Sequence, residues 1–162
     1  MSPLEPVYRD YVISCDRETV RDMAASTGFF SEAEIEVAVD LVTESLGKGE
    51  ASGYIFLFAE VESEPVGFAC YGPIPCTVHS FDLYWIVVSN SHRNLGIGRK
   101  LLRVAETMIR QSGGRRIYVE TSSRPQYDPT RAFYQGQGYY KEAQFEDFYA
   151  PGDSKIVYVK VL

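Results

Sequence analysis

Between Tyr84 and Leu102 the chain reads Tyr84-Trp85-Ile86-Val87-Val88-Ser89-Asn90-Ser91-His92-Arg93-Asn94-Leu95-Gly96-Ile97-Gly98-Arg99-Lys100-Leu101-Leu102. A β-branched apolar run gives way to a short polar loop, and the loop to a helix start punctuated by glycine. The first amides of a helix lack intrahelical acceptors and carry partial positive charge. Glycine lets such backbone approach a ligand closely. The chemistry served by this arrangement is the cradling of phosphate. The loop is not a P-loop, which needs G-x-x-x-x-G-K-[ST], nor a G-x-G-x-x-G turn. It reads R-x-x-G-x-G, from Arg93 to Gly98.

The flanking sequence supplies elements to hold that loop. Tyr8 to Cys15 reads as a first strand, and Asp16 as the cap of a short helix through about Thr27, ended by Gly28. Ser31 to Glu34 forms a capping box. Ile35, Ala38, Val39, Leu41, Val42 and Leu46 follow at helical spacing, and Gly47 is expected to close the helix. Tyr54 to Val61 and Val66 to Tyr71 read as a hairpin joined by the turn Glu62-Ser63-Glu64-Pro65, where Pro pre-sets its own φ. Phe81 to Val88 is the most apolar strand and is expected to be central. Alternation sets Asp82, Tyr84, Ile86 and Val88 against Leu83, Trp85 and Val87.

Ile97 to Ser112 is a helix with Ile97, Leu101, Val104, Ala105, Met108 and Ile109 as its buried stripe. Arg115 to Thr121 is a strand. Asp128-Pro129 opens a short helix through Tyr134. Two closing strands, Gly138 to Phe148 and Lys155 to Leu162, meet at Ala150-Pro151-Gly152-Asp153. The order β-α-α-β-β-β-α-β-α-β-β predicts a mixed α/β sheet with helices on both faces, in one domain over residues 1–162.

Arg93 to Gly98, directly after a strand ending in Val87-Val88, resembles the pyrophosphate-binding signature of the GNAT N-acetyltransferase superfamily. Arg131-Ala132-Phe133-Tyr134 followed by Gly138-Tyr139-Tyr140 is similar to the family's F-Y…G-[FY] segment. The resemblance implies a mostly antiparallel sheet of about seven strands, split beside its central strand, with about four helices. It implies acetyl-CoA as cosubstrate, with the pantetheine arm in the split. Backbone of Ile86, Val87 and Val88 would pair with that arm. Amides of Arg93, Asn94, Leu95, Gly96, Ile97, Gly98 and Arg99 would wrap the pyrophosphate. The Tyr134 hydroxyl would point at the thioester sulfur as general acid. Asp82 occupies the position where some members carry a catalytic Glu, which makes it the candidate base, with Glu120 and His79 behind it. Asn94 stands where the family usually has Gly; Asn is the next-best residue for left-handed backbone. The family's Asn before the last helix is absent, and Ser122 and Tyr127 are its possible substitutes.

The implied reaction is acetyl transfer to a primary amine by direct attack; the alternative is a catalytically inactive acyl-CoA-binding module. The acceptor, a small-molecule or peptide amine, is not named by the sequence. A net charge of -6 argues against nucleic acid and anionic membrane as partners. Three cysteines without C-x-x-C spacing read as reduced thiols of a cytoplasmic protein. No metal site is expected, because no His lies at ligand spacing from them. The N-terminus lacks the basic and apolar regions of a signal peptide. Homodimerisation through a closing strand is left open.

Overall fold

The computed structural model describes residues 5–162; residues 1–4, most of the segment read above as lacking a leader, lie outside the described residues. The elements are β1 (Val7–Arg9), α1 (Asp16–Ser26), α2 (Glu32–Lys48), β2 (Ile55–Val61), β3 (Glu64–Pro73), β4 (Ser80–Val88), α3 (Ile97–Gln111), β5 (Arg116–Ser122), α4 (Asp128–Gly136), β6 (Tyr140–Ala150) and β7 (Asp153–Val161). Their order is the expected one. The seven strands hydrogen-bond in the order β1-β2-β3-β4-β5-β7-β6. The sheet is mixed: β1–β2, β2–β3, β5–β7 and β6–β7 are antiparallel and β4–β5 is parallel. The β4–β5 ladder covers Ser80, Phe81 and Asp82 only. No described helix is long and apolar enough to cross a membrane.

By contacts the described residues divide into two compact units, the first comprising residues 5–72 and 85–108, the second residues 73–84 and 109–162. In the first, α1 and α2 pack their apolar stripes on the hairpin. Val20, Met23, Ala38, Val39 and Val42 meet Phe56, Phe58, Phe68 and Cys70, and Val87 completes the cluster. Burial of such aromatic and branched side chains is the main force holding the helices to the strands. The capping box forms as read: Ser31 Oγ accepts from the Glu34 amide at 3.2 Å and Glu34 returns to the Ser31 amide at 2.7 Å.

Four local expectations are corrected. First, β1 is three residues long. The chain beyond it bonds to side chains instead of a neighbouring strand. Arg9 Nη1 donates to the Tyr11 carbonyl at 2.6 Å, and Asp16 Oδ2 accepts from the Ile13 amide at 2.8 Å. Second, Asp16 is not the cap of α1; Cys15 holds that position without a side-chain bond. Asp16 is fully buried and receives both Nη groups of Arg9, at 2.8 and 2.9 Å. Arg9 also donates Nε to Glu60 at 2.7 Å and lies 4.3 Å over the Phe58 ring. Third, α2 runs past Gly47 to Lys48, because the left-handed residue is Gly49, at φ 57°. Fourth, the hairpin turn is shorter than the four residues expected: it is Glu62-Ser63, with φ of 52° and 69°, and Glu64 and Pro65 already belong to β3. Two consecutive positive φ values mark a two-residue type I′ connection. Pro65 lies within β3 opposite Glu60, beside the register shift at Ala59/Glu60, where a residue without an amide is tolerated.

In the second unit, the start of β4 and β5 pair side by side, and β7 and β6 continue outward. The end of α3 joins β5 through Gly113 and Gly114, which have separate duties. Gly113 takes φ 88°. A Cβ on Gly114 would collide with the Ile109 side chain and stand 2.9 Å from Phe81 Cδ2. The first glycine supplies conformation and the second supplies space.

Candidate functional site

The glycine loop belongs to the first unit. Its strand is fixed by the Ser89 amide, which donates to the Val66 carbonyl at 2.9 Å. Gly67 on β3 permits the close fit: a Cβ there would stand 3.1 Å from the Val87 carbonyl and 3.6 Å from Ile97 Cγ2. The Asn90 amide donates to Ser26 Oγ of α1 at 3.1 Å, which ties the start of the loop to a helix. His92 Nδ1 is shared between Ser89 Oγ at 3.0 Å and Ser91 Oγ at 2.9 Å.

Beyond this anchor the backbone turns left-handed twice, at Asn94 (φ 63°) and Gly96 (φ 77°). Asn94 thus takes the conformation that its departure from Gly puts at issue. Arg93, Asn94 and Leu95 are exposed, while Ile97 is buried and roots the helix. The first intrahelical bond of α3 runs from the Lys100 amide to the Gly96 carbonyl at 3.1 Å. The amides of Ile97, Gly98 and Arg99 therefore precede the helical ladder. A Cβ on Gly96 would have only Arg99 Nη2 near it, at 3.9 Å, so the loop presents bare backbone to open space. These features fit a phosphate group: amides outside the helical ladder, a helix dipole and no side chain in the way.

Lys100 reaches Glu5 at 2.8 Å and is committed there, whereas Arg99 and Arg103 are exposed. Leu101, Ala105 and Ile109 are buried as the stripe requires. Trp85 sits 4.8 Å from the Phe30 ring and packs against the core. Tyr84 is 38% exposed.

The other candidates lie in the second unit. Tyr134, on α4, is buried between Phe133 and Tyr139, with ring centroids at 5.4 and 5.5 Å. Burial raises its pKa above the ordinary tyrosine value, so the hydroxyl keeps its proton across the physiological range. α4 is held by Arg131, which donates to the carbonyls of Ser122 and Arg124 and to Asp128. Ser122 is consumed within the loop: its hydroxyl donates to Asp153 and accepts from the Arg124 amide. Tyr127 lies under the Arg124 guanidinium at 5.5 Å.

Asp82 pairs with Tyr118 in register, and Ser122 with Lys155. Paired residues share a sheet face and alternate residues repeat it. Asp82, Tyr118, Glu120 and Lys155 therefore point to one side. Partial burial raises the Asp82 pKa; the like charge of Glu120 raises it further, and Lys155 opposes both. Glu120 is exposed and pairs with Lys155 Nζ at 3.4 Å. His79 is exposed three residues before Asp82, with Nδ1 at 2.9 Å from the Gly113 carbonyl. Lys155, Gly67 and Ser26 were not legible as site residues: each acts through a partner distant in sequence.

Known proteins resemble this chain throughout. The family described as the acetyltransferase (GNAT) family matches residues 18–139. A solved structure of a protein assigned to the GNAT acetyltransferases, from Desulfovibrio desulfuricans, is 42% identical; the match covers 96% of this chain and 98% of that one, with a TM-score of 0.94. An aminoglycoside 6′-N-acetyltransferase complexed with coenzyme A shares the fold at 18% identity, covering 96% of each chain, with a TM-score of 0.75. The ribosomal-protein-S18-alanine N-acetyltransferase from Escherichia coli does so at 16% identity, covering 96% of this chain and 93% of its own, with a TM-score of 0.72. No curated protein sequence gives a match.

Proposed function

The chain belongs to the GNAT acetyltransferase family, and from that premise we propose that it transfers an acetyl group from acetyl-CoA to a primary amine by direct attack in a ternary complex. The observation that carries this reading is the loop from Arg93 to Gly98, whose paired left-handed turns at Asn94 and Gly96 open exposed backbone at the start of α3. In this reading the amides from Arg93 to Arg99 hold the pyrophosphate, and backbone of Ile86, Val87 and Val88 holds the pantetheine arm. Acetyl-CoA brings the activated acyl group, and the residues supply binding, proton movement and orientation.

An alkyl amine is protonated at neutral pH and must lose that proton before it attacks. Asp82 takes it. Its half-buried setting supports the assignment, since a raised pKa brings a carboxylate nearer to the working pH. A backbone amide of Ile86 or Val87 stabilises the oxyanion that forms on attack. Tyr134 then protonates the departing thiolate, an act for which its buried, protonated hydroxyl is suited. Holding both reactants in line supplies much of the rate.

The acceptor is a small-molecule or peptide amine. The three cysteines are unpaired thiols, which supports a reducing, cytoplasmic setting. The test is a panel of amines incubated with acetyl-CoA, with release of free thiol as the readout. The expected result is thiol release that requires both the protein and a particular amine. Tight acetyl-CoA binding with no release for any amine, in a panel spanning polyamines, aminoglycosides and peptide N-termini, would select the non-catalytic acyl-CoA-binding module.

A further inference from the structure

The side of β4, β5 and β7 that carries Asp82 also carries an ammonium in an unusual seat. Lys155 Nζ lies 4.0 Å over the Phe148 ring and 5.2 Å from the Phe145 centroid, and reaches Glu120 at 3.4 Å. Phe145 and Phe148 are themselves half exposed, yet the Lys155 side chain is only 15% exposed. Two aromatic faces hold a cation by their quadrupoles, and a carboxylate holds it by charge. The lysine is therefore fixed in place where a surface lysine would normally be free.

The groups on this side are Arg116, Tyr118 and Glu120 of β5, Asp153 and Lys155 of β7, Tyr140 and Tyr149 of β6, the last in the field of Glu120 and Asp153, and Tyr84 beside Asp82 on β4 itself. Glu120 and Asp82 are like charges on adjacent strands, and Glu120 opposes the ionisation of Asp82. We propose that Lys155 is a positioning residue for acetyl transfer: clamped by Phe145 and Phe148, its ammonium balances Glu120 and so keeps Asp82 available as the proton acceptor. The inference rests on the reading of Asp82 as the base. It assigns Glu120 a role opposite to that of a second base, since Glu120 burdens Asp82 and Lys155 relieves it.

The test measures kcat/KM for a confirmed amine against pH, with acetyl-CoA saturating and the full chain throughout. The ionisation of the amine is common to every variant, so differences report the protein. Lys155→Met should move the acid limb to higher pH, with activity lost at the acidic end and recovered as pH rises. Lys155→Arg should restore the original limb. Glu120→Gln should move it to lower pH, and the double variant should return it toward the wild-type position because the two charges removed are opposite. Acetyl-CoA binding and thermal unfolding certify that each variant is folded; if Lys155→Met does not fold, the opposite shift in Glu120→Gln carries the test. An unmoved limb in both single variants, or an equal loss at all pH values, overturns the proposal. Asp82→Asn, measured alongside, separates the two failures. If it abolishes the limb while Lys155→Met leaves it unmoved, only this inference fails. If it retains the limb, the base reading itself fails.

Discussion

Two groups of charges in this protein are built in opposite ways. In the first unit, Arg9 is enclosed: Asp16 takes two of its nitrogens, Glu60 a third, and the Tyr11 carbonyl and the Phe58 ring occupy what remains. Asp16 is equally satisfied, with Arg9 and the Ile13 amide. In the second unit, Asp82 shares a half-open sheet side with another carboxylate and with a single lysine that the other carboxylate already engages. The first group has every charge answered, and its product is a fixed chain path from β1 into α1. The second has a charge left partly unanswered, which costs stability and raises the Asp82 pKa above the usual carboxylate range. Complete satisfaction suits a scaffold, and incomplete satisfaction suits the proton acceptor proposed at Asp82.

That contrast breaks if the two groups respond alike. Arg9→Met leaves Asp16 buried without its counter-charge, so unfolding free energy should fall by about 3–5 kcal/mol. Chemical denaturation checks this, with acetyl-CoA affinity of the remaining folded protein unchanged. Asp82→Asn should do the reverse: stability held or slightly raised, and turnover down by about 10²-fold or more. The pH dependence has a definite sign. A carboxylate whose pKa is raised on folding binds its proton more tightly in the folded state. Its contribution to stability is therefore lost as pH rises from the unfolded value through the folded one. Catalysis gains over the same interval, so the acid limb of kcat/KM should lie above the ordinary aspartate range.

The loop gives smaller and finer tests. Gly96→Val places a β-branched residue at φ 77°, a strain of roughly 1–3 kcal/mol, and acetyl-CoA affinity measured by calorimetry should drop about tenfold or more. Asn94→Gly relaxes a position that is already left-handed, so affinity should stay within about twofold of wild type, while stability rises or falls by less than about 0.5 kcal/mol. Undiminished affinity in folded Gly96→Val would remove the cradle from the account.

The parts of the protein that sequence made legible are those written in local backbone. The capping box needs only residues three apart, and it is present. The R-x-x-G-x-G loop needs left-handed positions, and Asn94 and Gly96 supply them. The amphipathic stripe of α3 follows from its period. What stayed hidden depends on partners far away in the chain. Asp16 looks like a cap until Arg9 is brought beside it, and Arg9 in turn needs Glu60, 51 residues on. Gly47 and Gly49 are equal in sequence, and only the path of the chain into β2 decides which turns left-handed. Pro65 reads as part of the turn, and only the pairing of β2 with β3 puts the turn before it, at Glu62-Ser63. Lys155 becomes visible only when the sheet order places β7 against β5.

Tyr134 carries the central claim, because its role exists only in the reaction. Tyr134→Phe removes one hydroxyl and keeps the ring packed between Phe133 and Tyr139, so the fold and the volume of the core are preserved. An interaction made as the thiolate departs lowers the maximal rate rather than the binding of substrate. The decisive measurement is steady-state kinetics of Tyr134→Phe with a confirmed amine, beside direct titration of acetyl-CoA. The account predicts a maximal rate lower by roughly 10- to 10³-fold, with acetyl-CoA affinity within about threefold of wild type. An unchanged maximal rate would contradict it, whether accompanied by lost affinity, which would make Tyr134 a cofactor anchor, or by no change at all, which would make it a core aromatic.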